Sequence, residues 1–280
     1  MSRPAHVFEK LAGVPVHYDR LAAPFGYGTR GKLMKFHSGH AFAATLEQCL
    51  QELWELCPLG RADVITSAGA WVEKPGYHGH GRAFDLDGIF WVTKSFVTRY
   101  DGFEGGDRTF YHAVEAVLRR HFGTVLDYHY NADHRDHFHL DDGTAVDFQA
   151  SSPSRVKFLQ GALTYVHGWP LTVDGAYGPQ TQEAVATVLH ELGITGDLHH
   201  PPVWRAFLRQ TAQRGFGAVA PAPAGPVAEK TPLELLHDVY AVIDQTLMDT
   251  GLRKQVEGVL TAFVNHDDTQ SWLEHYRVRA

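Results

Sequence analysis

The apolar positions along the chain alternate between helical and extended spacing. Apolar residues recur at helical intervals over 41–57, and Pro58 follows where a helix must end. A second helical stripe covers 107–122. Short apolar runs predict strands at 63–67, 83–87 and 124–128. Two helices beside an antiparallel sheet predict a small α+β domain over 1–150, with residues 1–40 irregular because they show no sustained period.

The pattern becomes all-helical after residue 150. A helix is predicted at 156–163, a Gly-rich turn opens a second helix near Pro179, and a third follows at 200–212, which together predict a three-helix bundle over 153–213. Residues 214–231 are rich in Pro, Ala and Gly, which predicts a linker. Residues 232–280 carry two amphipathic stripes, expected to form either a helical hairpin or a docking segment for a partner.

Composition narrows the class of protein. The 280 residues are 44% hydrophobic and carry a formal net charge of -7, so a nucleic-acid partner is not expected. No apolar run approaches the ~18 residues of a membrane span. Cys49 and Cys57 are predicted to be small buried residues rather than a disulfide. The first residues show no secretory signal, so we expect synthesis in the cytoplasm without a readable signal peptide.

Candidate chemistry is concentrated in two clusters. His78 lies in a Gly-rich loop, and Asp85 follows seven residues later in a predicted strand. Further along, His134, His137 and His139 surround another predicted strand. Side chains two apart on a strand project to the same face, so His137 and His139 are expected to point into one site.

These residues are those that a catalytic zinc site requires. Such sites commonly take three His or carboxylate ligands and leave a fourth position for water, whose pKa falls toward ~7. His78, Asp85 and His139 would supply two nitrogens and one oxygen to Zn²⁺. His137 would take the water's proton and return it to the leaving amine, while His134 would hydrogen-bond the reacting oxygen or steady His137.

The two clusters resemble the zinc peptidases of the D-Ala-D-Ala carboxypeptidase and lysostaphin-like group, which share a fold with hedgehog. The closer likeness is to the extensin-like C-terminal family and to murein endopeptidases with Asp-His-Phe-His. The residues that carry it are His78-x-x-Gly81-x-Ala83-x-Asp85 and His134-x-x-His137-x-His139. The resemblance covers about residues 40–145 and implies a hedgehog/DD-peptidase-like fold, the same three zinc ligands, His137 as base and His134 as a supporting residue. Many relatives have a catalytic Glu where this chain has Asp136, so the base assignment follows the His-type branch.

A second resemblance lies further along the chain. Residues 173–181 read Val-Asp-Gly-x-Tyr-Gly-Pro-x-Thr, which is similar to the three-helix peptidoglycan-binding domain. The likeness covers 153–213 and implies peptidoglycan as a partner. Val188 and Leu189 replace the family's usual Phe-Gln pair. The alternative is a stable bundle that binds nothing.

Together the two parts predict a zinc metallopeptidase that cleaves amide bonds in peptidoglycan stem peptides or cross-links, as a DD-endopeptidase or a DD-carboxypeptidase. A carboxypeptidase should present a basic residue to the substrate carboxylate, and Arg82 and Arg135 are the candidates. The alternative is a non-catalytic, zinc-containing peptidoglycan-binding protein. The expected place of action is the cell wall, in the periplasm, after release as a phage lysin or delivery as a secreted antibacterial effector. A delivery or immunity protein would then be a further partner.

Overall fold

A computed structural model describes residues 2–22, 26–99 and 107–217 of the chain. Over these residues the fold is mixed α+β, with five α-helices and two sheets, which confirms the predicted class. The helices are α1 (His40–Leu56), α2 (Asp107–His121), α3 (Pro153–Tyr165), α4 (Pro179–Glu191) and α5 (Pro201–Gly217). The strands are β1 (His6–Phe8), β2 (Lys10–Leu11), β3 (Val14–Tyr18), β4 (Lys32–Leu33), β5 (Phe36–Ser38), β6 (Val64–Gly69), β7 (Ala83–Phe90), β8 (Ser95–Val97), β9 (Thr124–Leu126) and β10 (Phe138–Asp141).

The larger sheet has eight strands and is mixed rather than purely antiparallel. Its main path runs β2-β3-β6-β7-β10-β9, with β4 added beside β3 and β8 beside β7, while β1 and β5 form a separate two-stranded sheet. Among the strands that the structure describes, all pairs are antiparallel except β3 with β6. The prediction of an antiparallel sheet is wrong at this pair, because the connection from β3 to β6 contains α1 and returns the chain in the same direction.

The prediction that residues 1–40 are irregular is also wrong. They contain five short strands, and β3 lies inside the main sheet, with Val14 and Val16 buried and Pro15 between them partly exposed. Strands of two to five residues are too short to establish a period in a sequence window. The first forty residues are therefore part of the sheet that carries the candidate site.

The helices after residue 150 pack directly on the first part of the chain. Phe216 of α5 contacts Phe110 of α2 at a ring-centroid distance of 5.2 Å. A Cβ atom added to Gly215 would lie 2.7 Å from Cβ of Ala113, so the two helices approach closely where α5 has glycine. Buried residues of α1 to α5 and of the main sheet form one continuous hydrophobic core.

The other expectations can be placed on this fold. α4 begins at Pro179, as the sequence indicates, whereas α5 continues to Gly217, past the expected end at residue 212. The rest of the predicted linker and the whole segment 232–280 lie outside the described residues. Cys49 and Cys57 are buried free thiols. In the described part of the chain, no helix has the length and apolar character needed to cross a membrane.

Candidate metal centre

His78 is held in a tight turn between β6 and β7. It opens the 3₁₀ helix His78–His80, which Gly81 ends with a φ of 66°, a left-handed conformation that glycine adopts without strain. A Cβ atom at Gly81 would lie 2.6 Å from Cγ of Pro4 and 2.8 Å from the backbone nitrogen of Gly39. Glycine thus lets the turn close against the body, which leaves His78 only 4% exposed.

The main sheet brings the other two residues of the site together. β7 and β10 pair antiparallel, with His139 directly opposite Asp85. Side chains that are directly opposite on an antiparallel pair share a face and have Cβ atoms about 4.5–5.5 Å apart. The strand register therefore places these residues in contact.

The donor atoms of His78, Asp85 and His139 form a nearly equilateral triangle. Oδ1 of Asp85 lies 3.1 Å from Nε2 of His78 and 3.1 Å from Nδ1 of His139, and the two nitrogens are 3.2 Å apart. Zinc bonds of about 2.0–2.1 Å in tetrahedral geometry separate neighbouring donor atoms by about 3.3–3.4 Å. The triangle therefore fits a zinc-sized ion, and it is the group that sequence reasoning assigned to the metal.

The second nitrogen of each histidine is bonded away from the triangle. Nδ1 of His78 donates to the carbonyl oxygen of Ala70 at 2.5 Å, and Nε2 of His139 donates to Oδ2 of Asp141 at 3.1 Å. With a metal ion in the triangle, these bonds would select the neutral tautomers of both rings, and the lone pairs of Nε2 of His78 and Nδ1 of His139 would be available to the ion beside the carboxylate of Asp85. Three electron-pair donors thus converge, an arrangement that a cation stabilises.

The electrostatics of the triangle favour positive charge at its centre. Burial by itself would raise the pKa of Asp85, but hydrogen bonds with His139 and His78 outweigh it and hold that pKa well below its usual value. Burial opposes the charged form of His139, yet hydrogen bonds with Asp141 and Asp85 raise its pKa to about 9. The negative charge of these carboxylates would stabilise either a proton or a metal ion at the centre of the triangle.

His137 stands beside the triangle and is oriented by its neighbour in the sequence. Its Nδ1 donates to Oδ1 of Asp136 at 2.8 Å, and its Nε2 lies 3.6 Å from Oδ1 of Asp85. Burial disfavours the charged form of Asp136, but the bond from His137 and the charge of Arg20 lower its pKa overall. The carboxylate therefore selects the His137 tautomer whose Nε2 lone pair is free and faces the site.

His134 lies at the rim of the same site. It closes the 3₁₀ helix Ala132–His134, and Oδ1 of Asn131 lies 2.6 Å from its Nδ1. Its ring centroid is 5.2 Å from that of His137 and 5.7 Å from that of His139. Burial, followed by the charge of the neighbouring histidines, lowers the pKa of His134 to about 4. His134 is therefore neutral at neutral pH.

The two arginines proposed for a substrate carboxylate differ in their surroundings. Nε of Arg82 donates to Oδ1 of Asp142 at 2.8 Å, and the guanidinium lies 5.5 Å from the ring centroid of Tyr77. Arg135 is exposed and has no ion pair with any other residue that the structure describes. The substrate role of both residues stays a prediction, and of the two side chains Arg135 makes fewer contacts with other described residues.

The triangle is a group of three donor residues. Among the described residues, no fourth His, Cys, Asp or Glu donor lies within 4.8 Å of all three donor atoms. His137 is near Asp85 but does not complete a fourth corner.

Sequence reasoning gave no structural role to three residues of the site. Asp141 could have been found, because it lies two positions after His139 on the same strand face. Asp136 was noted only as a departure from the Glu of relatives, although a carboxylate next to a histidine can orient it. Arg20 lies 116 residues before its partner Asp136, and no motif around Arg20 in the sequence indicates this contact.

A separate pocket of about 420 Å³ lies beside α4. Polar groups of Tyr177, Gln182, Asp197 and His199 line it, together with apolar side chains such as Leu189. Two of the lining rings, Tyr177 and His199, contact Phe148 from the first 150 residues. The distances between ring centroids are 5.1 Å from Phe148 to Tyr177 and 5.3 Å from Phe148 to His199. The pocket is thus held in a fixed relation to the rest of the fold.

Comparison with known proteins agrees with the resemblance in the first part of the chain. Residues 38–150 match the family described as extensin-like protein C-terminus. The matched region contains the triangle of His78, Asp85 and His139, together with His134 and His137, but not β1 to β4. No curated protein and no solved structure shows significant similarity to the chain.

Proposed function

We propose that this protein is a zinc-dependent peptidase that cleaves amide bonds in peptidoglycan stem peptides or cross-links. The observation that carries the proposal is the triangle of His78, Asp85 and His139, which lies next to the histidine–carboxylate pair of His137 and Asp136. When bound, Zn²⁺ would polarise the peptide carbonyl and lower the pKa of water toward ~7. The choice of peptidoglycan rests on the resemblance of both parts of the chain to cell-wall proteins.

His137 is the proposed general base and acid. With Nδ1–H held by Asp136, Nε2 is free to accept a proton from the attacking water and to return it to the departing amine. The carboxylate also stabilises the protonated ring between these two transfers. This division of work matches the expectation drawn from the sequence.

The surroundings of His134 narrow its proposed role. Its Nδ1–H is directed to Asn131, so in the neutral ring Nε2 accepts a hydrogen bond and cannot donate one. A neutral His134 would therefore accept from a substrate N–H group and orient the peptide. Donation to the reacting oxygen would require the protonated ring.

Residues 153–213 are proposed to bind the wall. The pocket beside α4 combines aromatic, amide and carboxylate groups with apolar side chains, which suits a polar glycan or peptide segment. Holding the enzyme on its polymer raises the local substrate concentration without changing the chemistry. Action on the wall also requires delivery to the periplasm, by phage release or by a secretion apparatus.

The test is digestion of purified peptidoglycan by the zinc-loaded protein, with mass analysis of the fragments and a chelated control. Loss of cross-linked dimers would identify a DD-endopeptidase, and loss of terminal D-Ala from monomers a DD-carboxypeptidase. His137→Ala should abolish digestion and leave zinc bound. His80→Ala is the matched control, because His80 lies in the same loop but its Nδ1 bonds to the carbonyl of Gly76, outside the triangle.

Unchanged fragments with zinc bound would refute the peptidase and favour the non-catalytic binding protein. Full activity in His137→Ala would remove that residue from the base role. Failure to bind zinc at all would refute the metal assignment itself.

A further inference from the structure

We infer that Arg20 is a positioning residue for His137 and acts through Asp136. The inference rests on the proposed function, because it concerns the group that would move the proton. It goes beyond the family match, since Arg20 belongs to the N-terminal segment that precedes residue 38.

Arg20 bridges two carboxylates next to the metal centre. Its Nη2 donates to Oδ1 of Asp87 at 2.8 Å, and its Nη1 donates to Oδ2 of Asp136 at 3.1 Å. The side chain of Asp87 is fully buried and lies two residues after Asp85 on β7, so it is a fixed anchor. A guanidinium group has a planar fork of donors and can hold two carboxylates in one relative orientation.

This bridge leaves Asp136 with little rotational freedom. One of its carboxylate oxygens binds Arg20 and the other accepts Nδ1–H of His137 at 2.8 Å. Rotation of the carboxylate away from His137 would break the contact with Arg20. Arg20 thereby keeps the acceptor in place that selects the His137 tautomer and aims Nε2 at the site.

The N-terminal segment also holds the backbone at Asp136. The hydroxyl of Tyr27 donates to the carbonyl oxygen of Asp136, and Oγ1 of Thr98 lies 3.0 Å from the same oxygen. The guanidinium of Arg20 lies 5.0 Å from the ring centroid of Tyr27, so the two residues support each other. Arg20 and Tyr27, which lie outside the family match, therefore contact the side chain and the backbone of Asp136, and Thr98 inside the match adds a second bond to the same backbone carbonyl.

The experiment compares Arg20→Gln, Arg20→Lys and the wild type in two readouts. The first is the tautomer of His137, observed by long-range ¹H–¹⁵N NMR of ¹⁵N-histidine-labelled protein, with His137→Ala used for assignment. The second is peptidoglycan digestion, with kcat and KM measured separately. Arg30→Gln is the matched control, because Arg30 is in the same segment but pairs with Asp63.

In Arg20→Gln we expect a mixture of His137 tautomers, a kcat about 10- to 100-fold lower, a KM within about twofold and unchanged zinc content. Arg20→Lys should be intermediate, because a single ammonium group can bond to Asp87 or Asp136 but lacks the planar fork of donors that holds both side chains. It also serves as the test variant if Arg20→Gln does not fold. Arg30→Gln should match the wild type.

A single, unchanged His137 tautomer and an unchanged kcat in a folded Arg20 variant would overturn the inference. A lower melting temperature with both readouts unchanged would do the same, since Arg20 would then be merely structural. If the wild type digests nothing, the proposed function fails, but the tautomer readout still decides the role of Arg20.

Discussion

Replacement of Asp141 by Asn should weaken zinc binding although Asp141 is not one of the three ligands. Oδ2 of Asp141 accepts Nε2–H of His139, and Oδ1 accepts the backbone N–H of Gly143 at 2.8 Å. Asparagine has only one acceptor oxygen. If that oxygen serves Gly143, the amide NH₂ faces His139 and shifts the ring proton to Nδ1, the proposed ligand atom. If the asparagine amide is reversed, its oxygen faces His139 and its NH₂ group faces the backbone N–H of Gly143, so that two donors oppose each other.

The first arrangement disfavours the tautomer that zinc requires, and the second keeps that tautomer but leaves the backbone N–H of Gly143 without its acceptor. Loss of such an outer partner typically costs 10- to 100-fold in metal affinity, or about 1.4–2.7 kcal/mol. The assay is competition for zinc against a chromophoric chelator at neutral pH. Asp142→Asn is the matched control, because the neighbouring carboxylate binds Arg82 instead of His139.

A folded Asp141→Asn protein with wild-type zinc affinity would refute the reasoning. Equal losses in both variants would refute it as well, because they would show a general effect of removing negative charge. A loss confined to Asp141→Asn would support the tautomer argument.

Two further predictions concern the packing of the later helices. Burial, with a smaller contribution from the charge of Arg214, lowers the pKa of His167 from its usual value near 6.5 to about 4, so the native ring stays neutral where the unfolded chain takes up a proton. The free energy of unfolding should therefore fall by up to about 3 kcal/mol as the pH drops from 6.5 to 4. In His167→Gln, the free energy of unfolding measured with denaturant should depend less on pH over this range. An unchanged pH dependence in that variant would show that His167 is not the cause. Gly215→Val should destabilise the protein by about 1–3 kcal/mol, because α5 has no room for a side chain beside Ala113, whereas Gly217→Ala at an open position should have little effect in the same unfolding experiment.

The core of the candidate site could be predicted because its geometry is local. The seven-residue spacing of His78 and Asp85 and the two-residue spacing of His137 and His139 are fixed by one turn and one strand. What the sequence left open was how the two clusters meet. The register of β7 against β10 decides that, and it is set by packing over the whole sheet.

The supporting contacts were not predictable for a related reason. Arg20 lies in a stretch without period, and its contacts with Asp87 and Asp136 arise only when β3 enters the sheet beside β6. Among the short strands of residues 1–40, β3 pairs with the distant β6, whereas β1, β2 and β4 pair with other strands of the same segment. Tertiary pairing, rather than local propensity, forms both the strands and the contact between Arg20 and Asp136.

The parallel pairing of β3 with β6 shows that the residues needed to complete the main sheet extend beyond the residues of the family match. A fragment cut at residue 38 would keep all the proposed ligands but strip β6 of its neighbour along Val16, His17 and Tyr18. The backbone N–H and C=O groups of β6 that normally bond to β3 would be unpaired, and β6 would become an edge strand. Exposed edge strands pair with strands of other chains, so we expect such a fragment to aggregate. The smallest piece of this protein that could be moved intact into another begins ahead of β3, more than twenty residues before the family likeness begins.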